Sequence, residues 1–353
     1  MKKETIFQKL NTLYESCPQI SITDEDKYVI FSDVHLGNGG YQDDFKQNSE
    51  LFKQILTRHY LPRNYKLILN GDIEELYKFK MSQITHAWGD VFNIFNEFRS
   101  KDRLIKIFGN HDFALHRHFF DEHSLNLFEG VRLEYNGNTI FVYHGHQTTN
   151  FFEDYFRLSS MFGRYILNPI GYKNMTLPID DESKLTTEKI AYNFSAEKKV
   201  ISIIGHTHRP LFESHSKIDS LKMKIELLLT ELHANKNGNR DNLVKTIKAH
   251  KTELDKLYDE KRKSNQRNSI YNNKLMVPCL FNSGSVIGKR GATGIEINKG
   301  KISLVYWFDE RRSRRYLDYD GVVSKRMGTT SFHKAILKRD SLENIFLRIK
   351  LLA

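Results

Sequence analysis

Five short apolar runs, each ending in a loop rich in Asp, His, Asn and Gly, constrain this chain more than any other feature. Lys27-Tyr-Val-Ile-Phe31 leads into Ser-Asp-Val-His, and Lys66-Leu-Ile-Leu69 into Asn-Gly-Asp. Leu104-Ile-Lys-Ile-Phe108 leads into Gly-Asn-His-Asp, Thr139-Ile-Phe-Val-Tyr143 into His-Gly-His, and Val200-Ile-Ser-Ile-Ile204 into Gly-His-Thr-His. Apolar runs of this length read as buried strands. Helical stretches lie between several of them, at 42–60 and 86–100. Alternating strand, loop and helix predicts a layered α/β fold, in which ligands bind beyond the carboxyl ends of the strands. All five polar loops fall there. Asn136-Gly137 and Asn298-Lys-Gly300 each separate two strand-like runs, so antiparallel hairpins are expected and the sheets should be mixed.

Composition excludes several classes. A 39% hydrophobic content with 12% aromatics over 353 residues is ample for a core, which excludes wholesale disorder. The only cysteines, Cys17 and Cys279, exclude a disulfide scaffold and a cysteine-only metal site. No run of 18 apolar residues is present, and the opening residues are polar and of mixed charge, so no transmembrane segment and a cytoplasmic location are expected.

The net charge of +11 is uneven. Residues 213–270 carry 13 Lys and Arg against 9 Asp and Glu, and residues 311–353 carry 11 against 4. Within 217–262, Ile218, Leu221, Ile225, Leu228 and Leu232 recur at heptad-like intervals. Leu243, Ile247, Leu254 and Leu257 continue the pattern beyond an Asn/Gly turn. An inserted antiparallel helical hairpin over 213–270 is expected. It would interrupt a catalytic domain at 1–212 and 271–310 and be followed by a basic extension at 311–353. The hairpin is either a spacer or a homodimer contact. The basic segments are either solvated faces or surfaces for nucleic acid.

The chemistry lies in the loops taken together: Asp33 and His35, Asp72, Asn110 and His111, His144 and His146, His206 and His208. Any one pair has an ordinary turn or cap explanation. Five at strand ends call for a shared task, because an unsatisfied buried polar group costs roughly 1–3 kcal/mol. Asp-x-His and Gly-His-x-His on extended loops would turn both side chains to one side. A single carboxylate, Asp72, can bridge two ions. Oxygen and imidazole donors without thiolate suit Mn²⁺, Fe or Zn²⁺.

Asp33-Val-His35, Gly71-Asp72, Gly109-Asn-His-Asp112, His144-Gly and Gly205-His-Thr-His208 resemble, in order, the signature of the calcineurin-like metallophosphoesterases. The resemblance spans about 15 to 310. It implies a four-layer αββα fold with two facing mixed sheets and two divalent metal ions, with Mn²⁺ favoured and Fe or Zn²⁺ as alternatives. It implies that Asp33, His35, Asp72 and His208 hold one ion, and Asp72, Asn110, His144 and His206 the other. It also implies that a metal-held hydroxide attacks phosphorus in line while His111 protonates the leaving oxygen. Glu75 would orient His111, where many members carry Asp. His146 is an alternative to His144 as ligand, and otherwise faces the substrate. Asp112 reads as a loop organiser. Arg209 either binds substrate phosphate or makes a structural ion pair.

The substrate is expected to be a phosphomonoester, phosphodiester or pyrophosphate, small or lipid-linked. The aromatic and basic stretch after 151 is either a lid or core helix. The strings at 33–36 and 205–210 are similar to those of bacterial UDP-2,3-diacylglucosamine pyrophosphatases. That branch has Gly-Asn-Arg-Asp and His-Gly-Asp where this chain has Gly-Asn-His-Asp and His-Gly-His. Two other readings stay open: a metal-dependent nuclease using the basic segments, and a non-catalytic scaffold, which retention of all seven ligands disfavours.

Overall fold

In a computed structural model, the structure describes residues 2–115, 127–148, 181–214, 240–263, 277–313 and 322–353, together with 221, 225, 228, 229, 232 and 317. A first sheet runs β1 (Gln19–Ile22), β6 (Gly130–Tyr135), β7 (Asn138–Tyr143), β8 (Ile201–Ile204) and β9 (Leu280–Asn282). A second runs β12 (Val323–Arg326), β13 (Phe332–Ser341), β11 (Lys301–Asp309), β10 (Gly291–Asn298), β2 (Lys27–Phe31), β3 (Lys66–Asn70), β4 (Leu104–Ile107) and β5 (Leu127–Phe128). Both are mixed. β2, β3 and β4 are parallel neighbours, as are β7, β8 and β9, whereas β6–β7 and β10–β11 are antiparallel.

Both hairpins close as expected. Asn136 and Gly137 have φ of 48° and 72°, and Lys299 and Gly300 have 53° and 64°. Two successive residues at positive φ give the turn whose twist matches that of paired strands.

Alternation along the strands then builds the layers. Tyr28, Ile30, Ile68 and Ile107 of the larger sheet pack against Val131, Ile140, Val142, Ile201 and Ile203 of the smaller one. The intervening residues Val29, Phe31, Leu67 and Leu69 face outward. They receive Phe52 and Ile55 from α2 (Ser49–Ile55), Ile84 from α3 (Met81–Ala87), and Phe95 and Phe98 from α4 (Gly89–Arg99). On the far side Phe141, Tyr143 and Ile204 receive Leu10 and Leu13 from α1 (Lys2–Ser16), and Ala191 and Phe194 from α5 (Asp181–Lys198). The order is therefore helix, sheet, sheet, helix, the αββα arrangement the resemblance implies.

β13 pairs with β11 and β12 with β13, so residues 323–341 extend the larger sheet. α7 (Leu342–Leu352), capped by the Ser341 hydroxyl, buries Ile345, Phe346 and Ile349 in the inter-sheet core. Several basic side chains here are ion-paired: Lys334 with Glu296, Arg326 with Glu310, and Lys338 and Arg348 with Glu213.

Within the expected hairpin, α6 (Arg240–Lys263) is a helix of 24 residues. Most of the first arm lies outside the described residues, as does the stretch at 151–180. No helix among the described residues is long and apolar enough to cross a membrane.

Candidate metal centre

The loops after β2, β3, β4, β7 and β8 converge at one end of the two sheets. Backbone bonds bind the first two together: Asp33 N donates to Gly71 O, and His35 N to Asp72 O, both at 3.0 Å. The loop after β8 joins them, since His206 N donates to Asp33 Oδ2 at 3.0 Å. In the loop after β4, His111 N donates to Asp72 Oδ1 at 2.8 Å.

The expected extended loops are not what forms. Asp33, His35, Asp72, His206 and His208 have φ of 54°, 50°, 55°, 64° and 56°. These are left-handed conformations that L-residues rarely adopt and that persist where surrounding structure fixes them. His206 and His208 fall in different donor groups, whereas Asp33 and His35 do share a side. They do so through left-handed turns rather than strand alternation.

One group of donors joins His35, Glu75 and His111, and two more form beside it. In one, Asp33 Oδ1 lies 3.0 Å from His208 Nε2 and 4.0 Å from His35 Nε2, and the two imidazole nitrogens are 3.3 Å apart. In the other, Asp72 Oδ2 lies 3.1 Å from His144 Nε2, and His206 completes the group. The His144 and His206 rings are 5.2 Å apart. Asp72 groups with His144 and His206, and its backbone carbonyl accepts from His35 N.

The chemistry of the donors fits divalent cations. Asn110 Oδ1 is buried and makes no hydrogen bond, and buried Asp33 Oδ1 and His144 Nε2 have only a cluster mate beside them, His208 Nε2 and Asp72 Oδ2. Buried polar atoms nearly always find partners, so a set of unsatisfied donors around two carboxylates suits a cation. His144 Nδ1 is 2.8 Å from the Asn70 carbonyl, which can only accept. The proton is therefore on Nδ1, as expected of a metal-binding imidazole. Burial alone would favour neutral His144, yet Asp72 and Asp33 push it up to about 9. Burial lowers His35, and lowers His206 to about 3 with His144 adding to the effect, so both offer lone pairs at neutral pH. Cys17 and Cys279 are buried in the apolar cores, away from this site.

Around these donors, His111 Nδ1 meets Glu75 Oε1 at 2.8 Å. Burial opposes its protonated form, but Glu75 and Asp72 outweigh burial and raise it from its ordinary value. Tyr77 lies against the His111 ring, centroids 4.2 Å apart, and accepts a 3.4 Å bond from Asn110 Nδ2. Asp112 accepts from Gly109 N and Ile73 N, which is loop organisation. His146 is buried with its ring 5.6 Å from that of His144. Arg209 is about a third exposed, its Nε 3.8 Å from Glu188 of α5.

Sequence reading missed the supports. Asn282 Nδ2 donates to Gly205 O and Thr207 Oγ1, both at 2.9 Å, while its Oδ1 accepts from Gly284 N. Thr207 Oγ1 also donates to the buried Glu188. Asn70 orients His144. Lys106 Nζ bonds Glu74 at 2.5 Å, a buried ion pair beneath the Asp72 loop. The only available signal was position: Asn70 and Asn282 end strands that enter the site.

Gly71, at φ 81°, is required by a close approach. A Cβ there would sit 2.5 Å from His144 Cγ and 2.8 Å from its Cβ.

Residues 27–223 match the family model of the calcineurin-like phosphoesterase superfamily domain. Nothing among curated proteins matches the chain. Solved structures give distant likenesses. A single mutant of Vps29 from Entamoeba histolytica is 11% identical, with 80% of this chain and 92% of that one covered and a TM-score of 0.32. A cold-active protein tyrosine phosphatase is 11% identical, with 81% and 78% covered and a TM-score of 0.33. A protein of unknown function from Aquifex aeolicus is 15% identical, with 52% and 80% covered and a TM-score of 0.25. Likenesses this distant transfer no property to the chain.

Proposed function

Because the chain belongs to the calcineurin-like phosphoesterase superfamily, we propose that it hydrolyses a phosphoester with the help of two divalent cations. Asp33, His35 and His208 would hold one, and Asn110, His144 and His206 the other, with the Asp72 carboxylate shared. The observation that carries this reading is a pair of largely buried donor clusters, with Asp33 Oδ1, Asn110 Oδ1 and His144 Nε2 among their atoms that find no hydrogen-bond partner outside the clusters. When bound, such cations supply a water of lowered pKa and offset charge on the phosphoryl oxygens.

The protein's own residues would do the rest. The left-handed loops fix the donors before substrate arrives, so no reorganisation is needed at reaction. Glu75 accepts the His111 Nδ1 proton and leaves Nε2 to face the leaving oxygen. His111, raised by Glu75 and Asp72, would hold a proton there and deliver it. His146 and Arg209 are the proposed contacts to substrate phosphate. The substrate is a monoester, diester or pyrophosphate, and Mn²⁺ is the favoured ion. The nuclease reading has no specific observation in its favour, and among the described residues of the C-terminal segment Arg311, Arg326, Lys334, Lys338 and Arg348 are ion-paired.

The test is a panel of p-nitrophenyl phosphate, bis-p-nitrophenyl phosphate, a nucleotide-sugar pyrophosphate and single- and double-stranded DNA. Each is assayed with Mn²⁺, Fe²⁺ or Zn²⁺, with Asp72→Asn as the blank. Metal-dependent turnover of a small phosphoester, lost in the variant, is expected. Cleavage of DNA alone would favour the nuclease. No turnover, or equal turnover by Asp72→Asn, would refute the hydrolase reading.

A further inference from the structure

We propose that Glu75 is a shared positioning residue, one carboxylate that fixes the metal-facing His35 as well as His111 and so sets metal affinity. This rests on the two-metal reading above.

Its two oxygens are used separately. Oε1 lies 2.8 Å from His111 Nδ1, and Oε2 lies 3.0 Å from His35 Nδ1. The two rings stand nearly perpendicular, 87° apart with centroids separated by 4.6 Å, so each oxygen meets the edge of a different imidazole. Glu75 is 2% exposed, and water does not compete for these bonds.

A carboxylate only accepts hydrogen bonds. Each Glu75 oxygen lies within hydrogen-bond distance of one Nδ1, at 2.8 Å for His111 and 3.0 Å for His35. Both Nδ1 atoms must therefore carry protons. For His35 this leaves an Nε2 lone pair, which faces Asp33 Oδ1 at 4.0 Å and His208 Nε2 at 3.3 Å. The tautomer and the ring plane of His35 are thus set from the side away from the other donors. Such partners of metal-binding histidines typically change affinity 10–100-fold when removed, by about one to two orders of magnitude.

The backbone makes this a rigid device. Leu36 N donates to Ile73 O at 2.8 Å, and Glu75 N to Leu36 O at 3.0 Å. The loop carrying His35 is bonded to the loop carrying Glu75, and the distance between the two side chains is fixed on both sides.

Two substitutions separate the roles. Asp at position 75 is one methylene shorter and cannot reach both ring edges. Gln offers one acceptor and one donor, so one histidine must move its proton to Nε2. Mn²⁺ is titrated calorimetrically into the full-length chain, metal-stripped, as wild type, Glu75→Asp, Glu75→Gln and His111→Asn. Thermal unfolding checks the fold of each.

Wild type is expected to bind two Mn²⁺. Glu75→Asp and Glu75→Gln should each weaken one site by about 10–100-fold while the other keeps its affinity. His111→Asn should keep both, because the Glu75–His35 bond remains. If one Glu75 variant is misfolded, the other decides. Wild-type affinity at both sites in a folded Glu75 variant would overturn the proposal and leave the two-metal reading standing. A third Mn²⁺ in wild type, absent from the Glu75 variants, would also overturn it, by making Glu75 a ligand. A wild type that binds no Mn²⁺ would instead overturn the two-metal reading, and this proposal with it.

Discussion

Two glycines with nearly the same backbone angle give a controlled measure of how tightly the metal centre is packed. Gly71 has φ 81° and Gly137 has φ 72°. An alanine at either position carries the left-handed penalty, roughly 1–2 kcal/mol. At Gly137, in the turn between β6 and β7, nothing lies within 4 Å of an added Cβ. At Gly71 the Cβ would meet the His144 ring, 2.5 Å from Cγ. That ring is fully buried and anchored through Nδ1 to Asn70 O, so it cannot swing aside cheaply. Overpacking a rigid interior adds about 1–3 kcal/mol. Gly137→Ala should therefore cost about 1–2 kcal/mol and Gly71→Ala about 2–5 kcal/mol, the difference being the clash alone. Urea unfolding followed by fluorescence of Trp88 and Trp307 reads both. The clash also moves His144 Nε2 from its place 3.1 Å from Asp72, so Mn²⁺ binding should weaken in Gly71→Ala and stay at wild type in Gly137→Ala. Equal stability losses with unchanged Mn²⁺ affinity in both variants would refute the reasoning, because His144 would then have room to move.

Two further outcomes follow from the supports and the outer core. Asn282→Ala removes three buried hydrogen bonds that hold the loop carrying His206 and His208. It should cost about 2–4 kcal/mol in urea unfolding and weaken Mn²⁺ binding, the larger part of the cost coming from groups left unpaired. His59, half-buried with its ring 4.8 Å from that of Trp307, is lowered from 6.5 to about 3, mainly by burial. A histidine lowered on folding contributes stability fully above its unfolded pKa and loses it as pH falls toward the folded value. Stability should decline below pH 6.5, by about 1 kcal/mol at pH 5, roughly half the fully buried figure because the ring is partly exposed. His59→Phe should flatten that part of the profile.

Much of the fold was legible because its signals are local. β2, β3, β4, β7 and β8 are apolar runs bounded by polar loops, and each lies within a residue or two of where the pattern puts it. The two hairpins follow from Asn-Gly and Lys-Gly pairs that accept positive φ. β1 and β12 gave no such signal. They are four residues each and largely exposed or half-exposed, so neither forms a continuous apolar run, and the Ile20/Ile22 alternation in β1 is too short to mark a strand. Charge marked 311–353 as basic, but could not reveal that β13 pairs along β11, because that pairing depends on a register set by the sheet.

For the candidate site, the sequence by itself determined which side chains are available and that each follows a strand. Residue type and near-neighbour spacing carry that much. Only the tertiary structure decided the left-handed turns at Asp33, His35, Asp72, His206 and His208, the reach of Glu75 to two histidines, and the grip of Asn282 on the loop 75 residues before it. These depend on distances between residues far apart in the chain. Such distances exist only once two sheets, packed face to face, bring the ends of their strands to one place.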